Sequence, residues 1–126
     1  MERKTISTND APQALGPYSQ GIHAGNFVFC AGQLGLDPAT GKLMVGGVEA
    51  QTRRAMQNLA GVLQAAGSSL NQIVKTTVFL ANMDDFQKMN AVYAEFFSAA
   101  PPARSTVQVA RLPRDAAVEI EAIAVA

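Results

Sequence analysis

Hydrophobic and polar residues alternate in several short segments of the chain, which is the pattern of half-buried β-strands. The pair Gly25-Asn26 separates two apolar segments and predicts the turn of a hairpin between them. Branched and aromatic residues dominate the longer segments and favour extended structure. The predicted strands are a short edge strand at 5–7, the hairpin strands at 21–24 and 27–34, and strands at 73–80, 102–109 and 118–125.

Two other segments carry apolar residues at helical spacing. The first runs from Val48 to about Ala66, and Gly67 follows it as the expected C-terminal cap. Its apolar stripe is formed by Ala55, Leu59, Val62, Leu63 and Ala66. A second helix of about three turns is predicted to start at residues 82–85 and to be ended by Pro101-Pro102. Its apolar stripe is formed by Phe86, Met89, Tyr93, Phe96 and Phe97.

The order of these elements predicts an α+β domain in which two helices cover one face of a mixed β-sheet. The turn-rich segment 36–43 is expected to link two further short strands, because Asp37-Pro38 and Gly41 suit a β-turn. Two helices leave the other sheet face uncovered. We therefore expect copies of the chain to pack sheet against sheet in a closed oligomer.

Length and charge limit the possible functions. The 126 residues suit one domain spanning 1–126. Ten basic and ten acidic residues cancel, and no run of either sign is longer than two. A nucleic acid or an anionic membrane is therefore an unexpected partner. No apolar run approaches the roughly 20 residues of a membrane helix, and residues 1–4 lead into polar sequence, so a cytoplasmic location is expected.

The chain has a single cysteine and a single histidine. Cys30 has no partner for an intramolecular disulfide, and its apolar surroundings predict a buried, unreactive thiol. With His23 as the only imidazole, too few soft ligands exist for a zinc site. His23 lies in a predicted strand and is a poor base for a nucleophilic triad. We therefore expect no metal site.

Arg104 is the strongest candidate for a binding residue. It stands near the start of a strand otherwise built from small and β-branched residues, and Thr106 and Gln108 share its face. A guanidinium is always charged and can hold a carboxylate through two parallel hydrogen bonds. The alternative is a structural ion pair with one of three acidic residues, Glu119, Glu121 or Asp115.

Four other residues are weaker candidates on the sequence alone. Tyr18 precedes a strand and either lines a pocket or packs its own loop down, whereas Gly32 interrupts a strand, as at a bulge or a close approach. Asn90 lies near the polar edge of the second helix, where an exposed amide is the alternative. Glu119 and Glu121 share their strand face with Ile123 and Val125, so at least one of the two carboxylates is expected to border buried surface.

Several short motifs occur in one order along the chain and together resemble the Rid family. They are Gly16-Pro17-Tyr18-Ser19-Gln20, Ala31-Gly32-Gln33-Leu34, Pro102-Ala103-Arg104-Ser105, Val109-Ala110-Arg111-Leu112-Pro113 and Glu119-Ile120-Glu121-Ala122. The Rid family comprises YjgF-type reactive intermediate deaminases, which are also labelled L-PSP endoribonucleases or translation inhibitors. The similarity extends from about residue 5 to the C-terminus.

The resemblance implies a chorismate-mutase-like fold, a homotrimer with pockets at subunit interfaces, and no cofactor. It also implies hydrolysis of 2-aminoacrylate and 2-iminobutanoate to 2-oxo acids and ammonia. Arg104 matches the carboxylate-binding arginine, and Glu119 is the candidate for orienting or activating water. The resemblance also implies pocket positions for five residues within the matched region, Tyr18, Gly32, Asn90, Thr106 and Glu119.

Two features depart from the family pattern. Thr106 stands where many members have cysteine, and the connection from Ser98 to Pro102 is shorter than usual. The first change is mild, since the family position acts largely through its backbone amide, whereas the second could reshape a pocket rim or a trimer edge. Two other functions compete with the deaminase: a non-catalytic sensor of 2-oxo acids, and a ribonuclease or translation inhibitor, which the balanced charge disfavours.

Overall fold

The computed structural model describes residues 2–126, and a six-stranded mixed sheet forms its centre. The strands are β1 (Arg3–Ile6), β2 (Gly21–Ala24), β3 (Phe27–Leu34), β4 (Ile73–Leu80), β5 (Ala103–Gln108) and β6 (Val118–Val125). Their order in the sheet is β1-β2-β3-β6-β4-β5. Only β4 and β5 pair in parallel, and the other neighbours are antiparallel. The α+β class and every strand predicted from the alternation are confirmed.

Two helices, α1 (Gly47–Ala65) and α2 (Phe86–Ala94), pack on the same face of this sheet. Four residues of the predicted α1 stripe, Ala55, Leu59, Val62 and Leu63, are fully buried. Each large aliphatic side chain buried in this way contributes about 1.5–3 kcal/mol. Gly67 adopts a left-handed conformation (φ 79°) just beyond α1, as expected of a capping glycine.

The second helix is shorter than predicted. It ends at Ala94, well before Pro101-Pro102, because the next amides form tighter bonds: Phe96 N donates to Tyr93 O and Phe97 N to Ala94 O. Both phenylalanines still pack against the core from this turn. Apolar spacing marked the buried face correctly, but it could not mark the end of the helix.

The segment 36–43 also differs from its prediction. A turn is present, with Gly41 N donating to Asp37 O at 2.7 Å. The two expected strands are reduced to one isolated bridge between Leu36 and Leu43.

The two faces of the sheet have different surroundings. Along β6, Val118, Ile120, Ala122 and Ala124 are buried under the helices, whereas the residues between them face the opposite side. Phe27, Phe29 and Val107 are exposed, and all three lie on that open face. Cys30 is buried, and burial raises the pKa of its thiol to about 12, which keeps it protonated. No helix within residues 2–126 combines the length and apolar character needed to cross a membrane.

Candidate functional site

Arg104 points from the start of β5 towards α2. Its register partner on β4 is Thr76, a fully buried residue, so Arg104 lies on the helix-covered face of the sheet. Its Nη1 donates to Asn90 Oδ1 at 2.8 Å. The guanidinium carbon lies 4.7 Å from the centre of the Tyr93 ring and 5.5 Å from that of Phe86. Asn90 is therefore more than an exposed helix amide, because it holds the arginine.

The structural ion pair considered for Arg104 is not found among residues 2–126. The two ion pairs in that part of the chain join Arg53 to Glu95 and Arg111 to Asp115. Glu119 and Glu121 lie on the other face of the sheet. Arg104 therefore carries a positive charge whose only described hydrogen bond is to a neutral amide.

A cleft of about 420 Å³, here called the arginine cleft, opens beside this guanidinium. Its walls come from α2, from the turn that follows α2, and from β5. The lining residues are Asn90, Tyr93, Ala94, Phe97, Ser98, Pro101, Pro102 and Arg104. The short connection from Ser98 to Pro102 forms one rim of the cleft, so its length affects the shape of the opening.

Thr106 lies two residues beyond Arg104 and on the same face of β5. Its hydroxyl oxygen is buried and has no hydrogen-bond partner among the described residues. A buried hydroxyl without a hydrogen bond costs free energy. A polar group that bonded to the Thr106 hydroxyl would therefore be stabilised at this position.

Tyr93 is the residue of this region whose role the sequence did not reveal, because its place on an apolar stripe indicated only core packing. Its hydroxyl lies 2.7 Å from the Thr76 hydroxyl, and both residues are buried. Burial raises the pKa of Tyr93, with smaller opposing effects from Thr76 and Arg104. The ring of Tyr93 faces Arg104 while its hydroxyl is fixed to the sheet.

A second cleft, here called the glutamate cleft, has a volume of about 520 Å³. It brings together three sequence candidates, Tyr18, Gly32 and Glu119. The other lining residues are Pro12, Gln13, Leu15, Ala31, Gln33, Leu34, Leu36, Pro113 and Arg114. Tyr18 is 55% exposed and lines this cleft together with residues of its own loop.

The loop that carries Tyr18 is ordered by Gln20. The buried amide of Gln20 donates to the carbonyl oxygens of Thr8, Ala11 and Pro12, and its oxygen accepts from Thr8 N at 2.7 Å. These bonds satisfy the backbone of a segment that two prolines keep out of regular structure.

Gly32 and Glu119 are in close approach. The pairing of β3 with β6 shifts register between Cys30 and Gln33, which is the predicted bulge. A Cβ at Gly32 would lie only 2.8 Å from the Glu119 carboxyl carbon, so the glycine leaves space for the carboxylate. Burial is the main cause that raises the pKa of Glu119, and the neighbouring Glu121 raises it further.

Arg114 is a cleft residue that sequence reasoning missed. It lies in the predicted turn before β6 with a left-handed backbone (φ 59°), and its Nη1 donates to Gly41 O at 2.6 Å. Arginine gives no sequence signal for this conformation, which glycine and asparagine favour.

The two clefts are separate within one chain. Glu119 pairs with Phe79, and Phe79 pairs with Val107, so Glu119 lies two strands and three residues away from Arg104. Strand spacings place their backbones about 14 Å apart. Because their side chains also leave opposite faces of the sheet, one chain cannot apply Arg104 and Glu119 to the same small molecule.

Acid and imidazole groups are sparse around both clefts. No three His, Cys, Asp or Glu side chains within residues 2–126 are grouped as metal ligands. His23 lies in β2 and lines neither cleft.

Comparisons with a family model and with individual relatives agree on one protein family. The sequence model of the endoribonuclease L-PSP family matches residues 8–126. A 2-iminobutanoate/2-iminopropanoate deaminase of Mus musculus is 50% identical over 123 residues, which cover 98% of this chain and 91% of the mouse protein.

Solved structures agree with the sequence comparison. The YjgF gene product of E. coli is 48% identical, with a TM-score of 0.93 over 97% of this chain and 98% of that one. E. coli TdcF with bound serine is 46% identical, with a TM-score of 0.93 over 98% of each chain. This chain therefore belongs to the endoribonuclease L-PSP family, the Rid (YjgF-type) family that its motifs resemble.

Proposed function

We propose that this protein is a deaminase that hydrolyses reactive enamine and imine intermediates, such as 2-aminoacrylate and 2-iminobutanoate, to 2-oxo acids and ammonia. One observation carries the proposal: Arg104 presents a guanidinium without an acidic partner at the wall of a cleft. The one handle common to these short substrates is a carboxylate, and a planar guanidinium binds that group in a defined orientation.

The relatives support this proposal. The mouse protein that is 50% identical is named for the same deaminase reaction. The E. coli TdcF structure holds serine, an amino acid with the carboxylate that Arg104 is proposed to bind. Extended to this chain, both agree with a site for small molecules that carry one carboxylate.

The complete site is proposed to form between protomers of a homotrimer. Arg104 and Asn90 of one protomer would supply the carboxylate side, together with the Thr106 backbone amide. Tyr18, Gly32 and Glu119 of the neighbour would supply the other side. Two observations support this arrangement: the clefts are separate in one chain, and the open sheet face exposes apolar side chains such as Phe29 and Val107.

The proposed reaction needs side chains and water only. An enamine substrate takes a proton from water on carbon and becomes the iminium form, which an imine reaches by protonation on nitrogen. Glu119 orients a water and accepts one of its protons as the oxygen bonds to the iminium carbon, which gives the carbinolamine and a protonated Glu119. Glu119 then returns this proton to the amino nitrogen, ammonia leaves as the hydroxyl proton passes to solvent water, and a 2-oxo acid remains. A base with a raised pKa, as Glu119 has, accepts the proton of the attacking water more readily.

Two rival functions remain distinct from this one. A sensor of 2-oxo acids would use the same Arg104 contact without turnover, and bound serine in E. coli TdcF is compatible with it. A ribonuclease, named in the family description, would need clustered cations, and the chain carries ten basic and ten acidic residues. The cytoplasmic location expected from the sequence remains a prediction.

A coupled assay with threonine dehydratase tests the proposal. The wild-type protein should accelerate the appearance of 2-oxobutanoate, and Arg104→Ala should abolish the acceleration without lowering the unfolding temperature. Arg104→Lys should recover little of it, because a point charge cannot form two parallel bonds. Arg53→Ala is the matched control, since Arg53 is an exposed helix arginine outside both clefts. A near-native rate in Arg104→Ala would refute the assignment, and binding of 2-oxobutanoate without turnover would favour the sensor.

A further inference from the structure

The arrangement around Arg104 suggests that another residue prepares it for binding. Arginine has a long, flexible side chain, and ordering it on binding costs free energy that weakens the complex. In this protein Arg104 is held before any ligand arrives, by Asn90 at one nitrogen and by aromatic rings at its face.

The closer ring is that of Tyr93. Its centre lies 4.7 Å from the guanidinium carbon, which is within the range of a cation–π contact, and Phe86 lies 5.5 Å away. The ring excludes water from part of the guanidinium, which strengthens any ion pair formed at the remaining nitrogens. Among the described residues Nη2 and Nε form no hydrogen bond, so they are free for a carboxylate.

The orientation of the Tyr93 ring is itself fixed. Tyr93 is buried, and its hydroxyl lies 2.7 Å from that of Thr76, a buried residue on the central strand β4. Thr76 is also the register partner of Arg104. Thr76 therefore lies beside the backbone of Arg104 and also holds the Tyr93 ring that contacts the Arg104 side chain.

We propose that Tyr93, anchored by Thr76, is a positioning residue that orients Arg104 for carboxylate binding. The expected change in KM rests on the proposed deaminase function, whereas the contact of Tyr93 with Arg104 does not depend on it. Tyr93 touches no reacting atom in this scheme. Its loss should therefore weaken substrate binding and leave the chemical step largely intact.

Replacing the ring and replacing only the hydroxyl give different expected results. Tyr93→Leu should raise KM about tenfold with kcat changed less than about twofold, since a partly desolvated cation–π contact corresponds to that order of affinity. Tyr93→Phe keeps the ring and loses only the bond to Thr76, so KM should rise about twofold. Phe96→Leu is the control for general loss of packing, because Phe96 packs against the core outside the arginine cleft.

A second measurement does not depend on activity. Protons over an aromatic face resonate upfield, so the Nε–H signal of Arg104 should be displaced upfield in the wild type and in Tyr93→Phe. The displacement should shrink in Tyr93→Leu. Arg104→Lys assigns the signal by removing it. If the wild type shows no deaminase activity, the proposed function fails while this spectrum still tests the positioning role.

Two results would overturn the inference. One is an unchanged KM and an unchanged Nε–H signal in Tyr93→Leu. The other is a tenfold loss of affinity in Tyr93→Phe with the Nε–H signal unchanged, which would make the hydroxyl a direct ligand contact. If Tyr93→Leu does not fold, Tyr93→Met serves in its place, because a flexible methionine fills more of the vacated space without supplying a ring. It should raise KM about tenfold and reduce the ring-current displacement, and no change in either would contradict the proposal.

Discussion

At the scale of single residues, Arg104 and Glu119 each line a cleft, and neither forms an ion pair among the described residues. Exposed ion pairs such as Arg53 with Glu95 contribute little, about 0–1 kcal/mol. Arg104 instead faces aromatic rings and an amide, and Glu119 is half-buried over Gly32. Neither group is thus paired with an opposite charge within the described chain.

A substitution at Glu119 separates water handling from substrate binding. Glu119→Gln keeps the size of the side chain, so binding of 2-oxobutanoate measured by calorimetry should remain near the wild-type value. The coupled rate should fall about a hundredfold, the lower end for loss of a general base, because imine hydrolysis is already easy in water. Binding that weakens in proportion to the rate would instead make Glu119 part of the substrate-binding surface.

The pH dependence of the rate should report Glu119. A general base must be ionised, so activity should fall on the acid side as Glu119 takes up a proton. Burial and Glu121 both raise the pKa of Glu119, and this places the fall at a higher pH than an ordinary glutamate would.

Glu121→Gln removes one of these two causes and should move the acid fall to lower pH. The comparison of the two profiles of kcat/KM cancels the titration of the substrate itself, which is common to both. An unshifted profile would show that another group controls the acid side.

At the scale of elements, the bulge in β3 determines whether the glutamate cleft can exist. The bulge contains Gly32, and any other residue at this position would place its Cβ in the space that the Glu119 carboxyl occupies. The bulge and the neighbouring carboxylate are therefore one unit, although residues 32 and 119 are far apart in the sequence.

Gly32→Ala should destabilise the fold by about 0.5–1.5 kcal/mol, because the added methyl group meets only the end of the flexible Glu119 side chain and pushes it out of its rotamer. Denaturant unfolding measures this loss as a shift of the midpoint concentration at an unchanged m-value. In a Glu119→Ala background the same change should cost much less, because the obstructing carboxyl is gone. Equal costs in both backgrounds would contradict the contact between the two residues.

At the scale of the whole molecule, the sheet keeps the two clefts on opposite faces, so an active unit is proposed to need at least two protomers. A mixing experiment tests the sharing directly. Arg104→Ala and Glu119→Gln protomers are each expected to be nearly inactive alone. When they are co-assembled in equal amounts, one site in four should combine an intact Arg104 with an intact Glu119 from its neighbour.

The mixture should therefore recover about a quarter of the wild-type rate if protomers combine at random in a closed ring. Light scattering should give the mass of three protomers for the wild type and for the mixture. The control is a mixture of the two variants that were assembled separately and have not exchanged protomers. A mixture no more active than its components would place the complete site within one chain.

Local sequence was sufficient for most of the fold. Alternation of side chains placed the strands, and in β6 it also placed Glu119 on the face opposite to Ile120, because this periodicity depends only on the extended backbone. Helical spacing similarly identified the buried stripe of α1. The motif containing Arg104 was visible for the same reason, since one cation in a strand of small residues is a local feature.

Tertiary structure decided what no local pattern contains. Periodicity shows that residues share a face, but only the pairing of distant strands decides which face the helices cover, and hence that Arg104 and Glu119 diverge. The contact of Tyr93 with Thr76 and Arg104 joins three elements, and the left-handed Arg114 is held by a bond to Gly41 on another loop. The physical reason is that these features arise from contacts between segments far apart in the chain, which sequence spacing does not encode.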